Sequence, residues 1–192
     1  WIDLSGFADV LGRARTARVL GFTVGISTAA TVLTLLLGVP TAYVLYRVAV
    51  PGRRIWRAVV TLPFVLPTVV VGVMFRSLLA PSGLFGGLGL DGHWGAVLAA
   101  LVFFNVSVVV RTVGVAWEAL DVRVEQSAAA LGAPPWTVWR TVTWPALAPA
   151  IWSAASIVFL FCSTAFGVVL TLGGLRYGTV ETEIYLLTTT LL

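Results

Sequence analysis

The sequence predicts an all-α protein, a polytopic transmembrane helix bundle with four complete spans and the start of a fifth. Of its 192 residues, 59% are hydrophobic and only 10% are charged, and the mean hydropathy is +1.00. A soluble domain of this length does not need so much apolar surface, so a bilayer is the expected solvent. Apolar windows long enough to cross a bilayer recur along the chain, separated by short polar connections.

The first span is predicted over residues 19–46, which contain no charged residue. This window is longer than the roughly 20 residues that cross a hydrocarbon core, so a tilted helix is expected. Residues 1–18 are mixed in polarity, and we interpret them as a non-cytoplasmic lead-in. Gly21 and Gly25 form a Gly-x-x-x-Gly pattern, which indicates close helix packing in lipid.

The second span is predicted over residues 58–79 and contains Pro63 and Pro67. Proline has no N–H to donate, so the helix is expected to kink or partly unwind there unless neighbours satisfy the freed carbonyls. A kink beside a transport pathway is one interpretation. The other is the ordinary proline content of transmembrane helices.

The third span is predicted over residues 95–111 and the fourth over residues 146–172, and an apolar run from residue 184 is interpreted as a truncated fifth. We therefore interpret the chain as a fragment of a longer polypeptide. Polar side chains inside a span either hydrogen-bond a neighbouring helix or line a pathway. The candidates are Asn105, Ser107 and Ser163.

A polar segment, residues 117–145, separates the third and fourth spans. Small residues from Ser127 to Ala130 suit a helix, and Gly132 can adopt the positive φ that ends one. Pro134 and Pro135 prevent that helix from continuing but allow a second helix to begin. The predicted shape is a short helix, a tight turn and another short helix.

Arginine placement predicts which side of the membrane this segment occupies. Counting spans alternately, seven arginines fall on the side of the 117–145 segment and five on the other. The excess favours a cytoplasmic 117–145 segment, because basic residues accumulate on the cytoplasmic side. Arg13, Arg15 and Arg18 depart from this pattern, since they lie on the predicted non-cytoplasmic side.

Catalytic and metal-binding patterns are missing from the sequence. It has no paired carboxylates and no nucleophile beside a histidine, and Cys162 and His93 are each the only residue of their type. The glycines near residue 86 precede no lysine, so they form no phosphate-binding loop. The arginines flank apolar segments instead of forming a patch, so nucleic acid is not expected. We expect no catalytic residue, metal site or cofactor.

The acidic residues also bear on the energy source. All eight lie outside the four predicted spans. An ion-coupled carrier usually keeps an ionisable group inside the membrane, so coupling to an ion gradient is disfavoured. The energy for transport is therefore expected from a partner.

The 117–145 segment resembles the cytoplasmic EAA loop of permease subunits in binding-protein-dependent ABC importers of the type I fold. That signature reads Glu-Ala-Ala, three residues, Gly, nine residues, Ile-x-Leu-Pro. Its positions are occupied, with the spacing kept, by Gln126, Ser127, Ala128, Gly132, Val142, Trp144 and Pro145. Gln126 replaces the family's Glu, and the neighbouring Glu125 lies about 100° away around a helix.

The resemblance implies a type I importer permease with no catalytic activity of its own, spanning the bacterial inner membrane several times. The 117–145 segment would dock on a cytoplasmic ABC ATPase dimer, with Trp136, Trp139 and Arg140 as anchors, because Trp and Arg are common at the energetic centres of interfaces. The alternative is that both tryptophans lie in an aromatic belt at the membrane surface. The other implied partners are an extracytoplasmic substrate-binding protein and a second permease half, on the same chain or as a homodimer.

The substrate is predicted from a narrower resemblance. The run from Phe161 to Leu170, followed by Leu172-Gly173-Gly174, Arg176-Tyr177 and Glu181 to Tyr185, is similar to the first half of duplicated ferric iron and thiamine permeases. Ferric iron or thiamine is therefore the expected cargo, with molybdate, sulfate or polyamine as alternatives. From other classes, a membrane-embedded enzyme, an ion-coupled carrier and a membrane scaffold remain as competing hypotheses.

Overall fold

The computed structural model describes residues 14–173 and 177–190. Throughout these residues the regular structure is helical, which confirms the all-α prediction. A short 3₁₀ turn, Gly86–Leu88, lies between the third and fourth helices. The helices are α1 (Ala14–Arg47), α2 (Arg53–Val65), α3 (Thr68–Leu79), α4 (Trp94–Ala119), α5 (Val122–Ala130), α6 (Pro135–Ser163), α7 (Phe166–Gly173) and α8 (Val180–Thr190).

Three of these helices, α1, α4 and α6, are each long and apolar enough to cross a membrane. The pair α2 and α3 meets the same criterion when taken as one broken span, which brings the total to as many as four. A polytopic membrane protein is therefore confirmed. Most of the predicted lead-in, residues 1–13, lies outside the described residues, and residues 14–18 are the first turn of α1.

Helices α4 and α8 are among those that extend beyond their predicted ends. Helix α4 continues past Arg111 to Ala119, because the buried Val113 and Trp117 carry its packed face onward at helical spacing. Helix α8 begins at Val180, earlier than the predicted residue 184. Its first turn forms because the Glu183 N–H bonds the Thr179 carbonyl at 2.9 Å and two glutamates favour a helix N-terminus.

The second and fourth predicted spans are interrupted. The chain leaves the helix at Leu66 and Pro67, where proline predicts a kink, and Pro67 is extended with ψ 134°. The continuous fourth span over residues 146–172 is wrong, because α6 ends at Ser163 and α7 begins at Phe166. At this break the Leu160 carbonyl accepts the Ser163 and Thr164 hydroxyls, each at 2.9 Å, as well as the Thr164 N–H at 3.1 Å, and the Ala165 N–H bonds the Cys162 carbonyl at 3.4 Å.

The chain divides into two compact units, each described here by itself. The first unit combines the start of α1 with Leu66–Phe104 and Phe159–Leu192, and its core includes α3 packed on α7. The two helices approach closely at Gly167, where a Cβ would lie 2.7 Å from Thr68 Oγ1. Small residues allow this contact, as is usual between helices in lipid.

The second unit comprises Val32–Val65 and Asn105–Val158. Within it, α2 contacts α4 through the Ser107 hydroxyl, which donates to the Val60 carbonyl at 2.7 Å. Gly114 of α4 lies against the Tyr46 ring of α1, and a Cβ there would overlap that ring. The Arg57 guanidinium lies 3.7 Å from the centre of the same ring. This unit contains the whole 117–145 segment.

Candidate functional site

The 117–145 segment comprises the last turn of α4, all of α5, a tight turn and the start of α6. Asp121 caps α5, because its Oδ1 accepts the Arg123 N–H at 2.9 Å. Helix α5 has no fully buried residue. It is therefore a surface helix whose position depends on a few specific contacts.

The turn after α5 is built on Gly132, which has a φ of +86°. The Gly132 N–H bonds the Ala129 carbonyl at 2.9 Å, and the Ala133 N–H bonds the Ala128 carbonyl at 3.2 Å. These two bonds are the Schellman arrangement that closes a helix C-terminus. Pro134 is extended and Pro135 is the first residue of α6, so the predicted helix, turn and helix are all present in the structure.

The second helix of the segment differs from the prediction of a separate short helix. Helix α6 runs from Pro135 into the membrane span without a break. It includes a π-helical turn, Trp139–Thr143, in which the Trp144 N–H bonds the Trp139 carbonyl. Single π turns occur frequently at functional sites. The π turn therefore connects the first residues of α6 directly to the membrane-spanning part of the same helix.

Glu125, a residue of α5, links this helix to α1 and to α6. One carboxylate oxygen pairs with the Arg47 guanidinium at the C-terminal end of α1, and the other accepts the Thr143 hydroxyl at 2.8 Å. The Arg47 and Glu125 side chains are only 19% and 22% exposed. We call Arg47, Glu125 and Thr143 the carboxylate clamp, because it holds α5 against α1 and the π turn.

Gln126, the residue at the family's Glu position, lies beside the clamp. It lines a groove of about 430 Å³ together with Tyr43, Arg47, Trp117 and Glu125. The Tyr43 and Trp117 rings in this groove are 5.3 Å apart. A glutamate at residue 126 would place a second negative charge next to Glu125, and like charges in such proximity are destabilising. Gln126 and the carboxylate clamp share one groove.

The exposed surface of the 117–145 segment carries apolar and basic groups. Leu131 is 90% exposed and Trp136 is 66% exposed, and Arg140 is also exposed. Trp136 stacks on Trp139 with ring centres 5.0 Å apart. The opposite side of α6 is buried at Val138 and Thr143. Of the other predicted residues here, Ser127 and Pro145 are exposed, and Ala128 and Val142 are half-buried.

The predicted pathway residues divide between the two units. Pro63, Asn105 and Ser107 belong to the second unit, whereas Pro67 and Ser163 belong to the first. Ser107 and Ser163 each donate to a backbone carbonyl, so both hydroxyls are engaged within the protein. Asn105 is buried, with 1% of its surface exposed.

Arg47 and Thr143 were not among the residues selected from the sequence. Arg47 lies 78 residues from Glu125, and no local spacing connects the two. In the sequence, the only feature that points to Arg47 is the density of arginines after the first span. Across residues 14–173 and 177–190, no group of three or more His, Cys, Asp or Glu side chains could hold a metal ion.

Comparison with known proteins defines the class. The family described as "Binding-protein-dependent transport system inner membrane component" matches residues 34–192, and the chain belongs to this family. A crystal structure of a bacterial ABC transporter involved in the import of the acidic polysaccharide alginate shares the fold, with a TM-score of 0.76 at 20% identity. That match covers 99% of this chain and 73% of the other.

Three relatives are permease proteins named for particular transport systems. The molybdenum transport system permease protein ModB of Mycobacterium tuberculosis is 34% identical over 96% of this chain and 74% of that protein. The sulfate transport system permease protein CysT of Escherichia coli is 32% identical over 71% of this chain and 52% of that protein. The thiamine transport system permease protein ThiP of Brucella abortus is 32% identical over 88% of this chain and 33% of that protein.

The chain is therefore a permease subunit of an ABC importer and a multi-pass inner-membrane protein, as the sequence predicts. None of these three relatives is named for iron, so the expectation of iron transport has no support from them. Molybdate and sulfate, which were the alternatives, and thiamine each have a counterpart among the relatives.

Proposed function

We propose that this chain forms the translocation path of an ATP-driven importer, together with a second permease half, and that the 117–145 segment docks on a cytoplasmic ATPase dimer. The observation that carries the proposal is the two-sided construction of this segment. Its inner side is attached to α1 and α6 by the carboxylate clamp, and its outer side exposes Leu131, Trp136 and Arg140.

This construction suits the transmission of a movement. A force applied to the exposed turn reaches α6 directly, because α6 is continuous from Pro135 into its membrane-spanning part. The same force reaches α1 through the Glu125–Arg47 ion pair. Exposed Trp and Arg side chains are the types that most often anchor a protein interface. Closure of an ATPase dimer against the turn would therefore move two helices together.

We propose a small divalent oxyanion, molybdate or sulfate, as the cargo. The molybdenum and sulfate permeases described above support this class. The charge distribution of the chain agrees with it, because its eight acidic residues lie outside the predicted spans. An anion crossing among those spans would meet no carboxylate, whereas a cation such as thiamine would find no opposite charge there.

Reconstitution of the complete importer tests this proposal. The permease, its ATPase and its binding protein are placed in proteoliposomes. Uptake of labelled molybdate, of labelled sulfate and of labelled thiamine is measured separately, with unlabelled thiamine as competitor of the two oxyanions. We expect one oxyanion to accumulate only when ATP and the binding protein are both present, without competition from thiamine.

Other outcomes have distinct meanings. ATP-dependent uptake of thiamine alone would contradict the oxyanion cargo and leave the importer assignment standing. Accumulation that follows an imposed ion gradient and needs no ATP would contradict the coupling proposal itself.

A further inference from the structure

The arginines near the start of α1 have no role in the proposed coupling. Arg15 and Arg18 lie on the predicted non-cytoplasmic side, where basic residues are disfavoured beside a membrane span. Both are exposed on the first turns of α1. Because basic residues are disfavoured on this side of the membrane, the presence of these two arginines calls for a local structural explanation.

Both arginines line a cavity of about 560 Å³ in the first unit. This volume is within the range of about 300–1,000 Å³ that is typical of small-ligand sites. The cavity combines polar side chains, Tyr177 and Glu183 among them, with the apolar Val19, Phe22 and Leu186. It therefore offers both a charged region and an apolar surface to a ligand.

Among the described residues, the lining of this cavity carries two arginines and one glutamate. Glu183 accepts two bonds from Arg15, from Nε at 2.7 Å and from Nη2 at 3.1 Å. This bidentate pair uses both carboxylate oxygens of Glu183. Within the described part of the chain Arg18 has no ion pair, so its charge is left uncompensated in the cavity lining.

Tyr177 supplies a second hydrogen-bonding group to the cavity. Its ring is packed between the Phe22 ring, at 5.8 Å, and the His93 ring, at 6.2 Å. A phenol held in this way keeps its hydroxyl available as a donor with little loss of entropy on binding. A guanidinium and a hydroxyl together suit the oxygens of a tetrahedral anion.

We propose that this cavity binds a tetrahedral oxyanion, with the Arg18 guanidinium as the main ligand and the Tyr177 hydroxyl as a second donor. Two sources share this chemistry. One is the phosphate of an anionic phospholipid, whose acyl chain would contact Val19, Phe22 and Leu186. The other is free cargo on the extracytoplasmic side, and this source alone rests on the proposed function.

The test compares the wild-type importer complex with the variant Arg18→Gln. Arg53→Gln is the matched control, because Arg53 is also exposed and is the first residue of α2. Arg18 is exposed, so its replacement should leave folding intact. Native mass spectrometry measures retained phosphatidylglycerol, and equilibrium dialysis without binding protein measures bound labelled sulfate and molybdate.

We expect Arg18→Gln to weaken binding of one probe roughly tenfold, as the loss of a charge-assisted bond predicts, and Arg53→Gln to leave it unchanged. Loss of phosphatidylglycerol identifies the lipid headgroup, and loss of sulfate or molybdate identifies the cargo. Unchanged binding of all three probes, or an equal loss in Arg53→Gln, would overturn the site. Neither result affects the ATP-dependence of uptake, so the proposed function stands or falls separately.

Discussion

Replacing Gly132 by valine is expected to lower ATP-dependent uptake at least tenfold while the complex still assembles in the membrane. Gly132 has a φ of +86°, and a β-branched residue strongly disfavours this region of backbone conformation. Adopting it costs about 1–2 kcal/mol or more, so the turn is expected to rearrange instead. Rearrangement would break the two bonds that close α5 and would displace the start of α6.

Two control variants isolate the backbone effect. Among the described residues other than its two chain neighbours, no heavy atom lies within 4 Å of a Cβ built on Gly132, so the valine variant tests conformation without a steric clash. Gly132→Asn should retain most uptake, because asparagine tolerates a left-handed conformation. Gly87→Val adds the same side chain at an equally open glycine without a positive φ, and it should be neutral. Uptake in proteoliposomes and stimulated ATP hydrolysis are the readouts, and a fully active Gly132→Val importer would exclude the turn from coupling.

Breaking the carboxylate clamp is the second change with a large expected effect. Glu125→Gln and Arg47→Gln each leave one charged group unpaired in a mostly buried site. We expect either variant to lose roughly 1–3 kcal/mol of local stability. Uptake should fall about tenfold while basal ATP hydrolysis persists. The reason is that the 117–145 segment would still bind the ATPase but would no longer move α1. Uptake per ATP hydrolysed measures this loss of coupling.

A charge exchange separates positioning from general destabilisation. The double variant Arg47→Glu with Glu125→Arg restores an ion pair, and the Thr143 hydroxyl can then accept a bond from the new arginine. It should recover a substantial part of the coupling ratio that each single reversal loses. Glu118→Gln is the control, because its pair with Arg57 is longer, at 3.5 Å, and Glu118 is 53% exposed. A double variant no better than the single ones would contradict the clamp.

The features that sequence reasoning predicts correctly depend on local chemistry. High apolar content without internal charge requires helices in a membrane, because every backbone group must be satisfied within the segment. The turn at Gly132 follows from a glycine succeeded by two prolines, whose conformational limits are intrinsic to those residues. The family resemblance rests on the same spacing, and the match over residues 34–192 confirms it.

The features that it misses depend on contacts between distant residues or leave no helix-breaking residue in the sequence. Arg47 meets Glu125 across 78 residues, and only the packing of α1 against α5 brings them together. The break after Ser163 contains no glycine or proline, so no helix-breaking residue in the sequence predicts it. The π turn makes the start of α6 continuous with its membrane-spanning part, whereas the sequence predicts a separate short helix before the fourth span. The expected cargo, ferric iron or thiamine, stays a prediction, because thiamine has a counterpart among the three relatives and iron has none.

Disulfide crosslinking in the assembled importer tests the central claim most directly. Cys162 is the only cysteine and is buried, so Cys162→Ala provides a background without thiols. Trp136→Cys and Trp152→Cys then give matched probes, since these tryptophans are 66% and 70% exposed. Cysteine 136 should crosslink to cysteines introduced on the ATPase surface, with a yield that changes on ATP binding, and cysteine 152 should not. Crosslinking from position 152 alone, or labelling of position 136 by a membrane-impermeant reagent added outside, would contradict a cytoplasmic coupling segment.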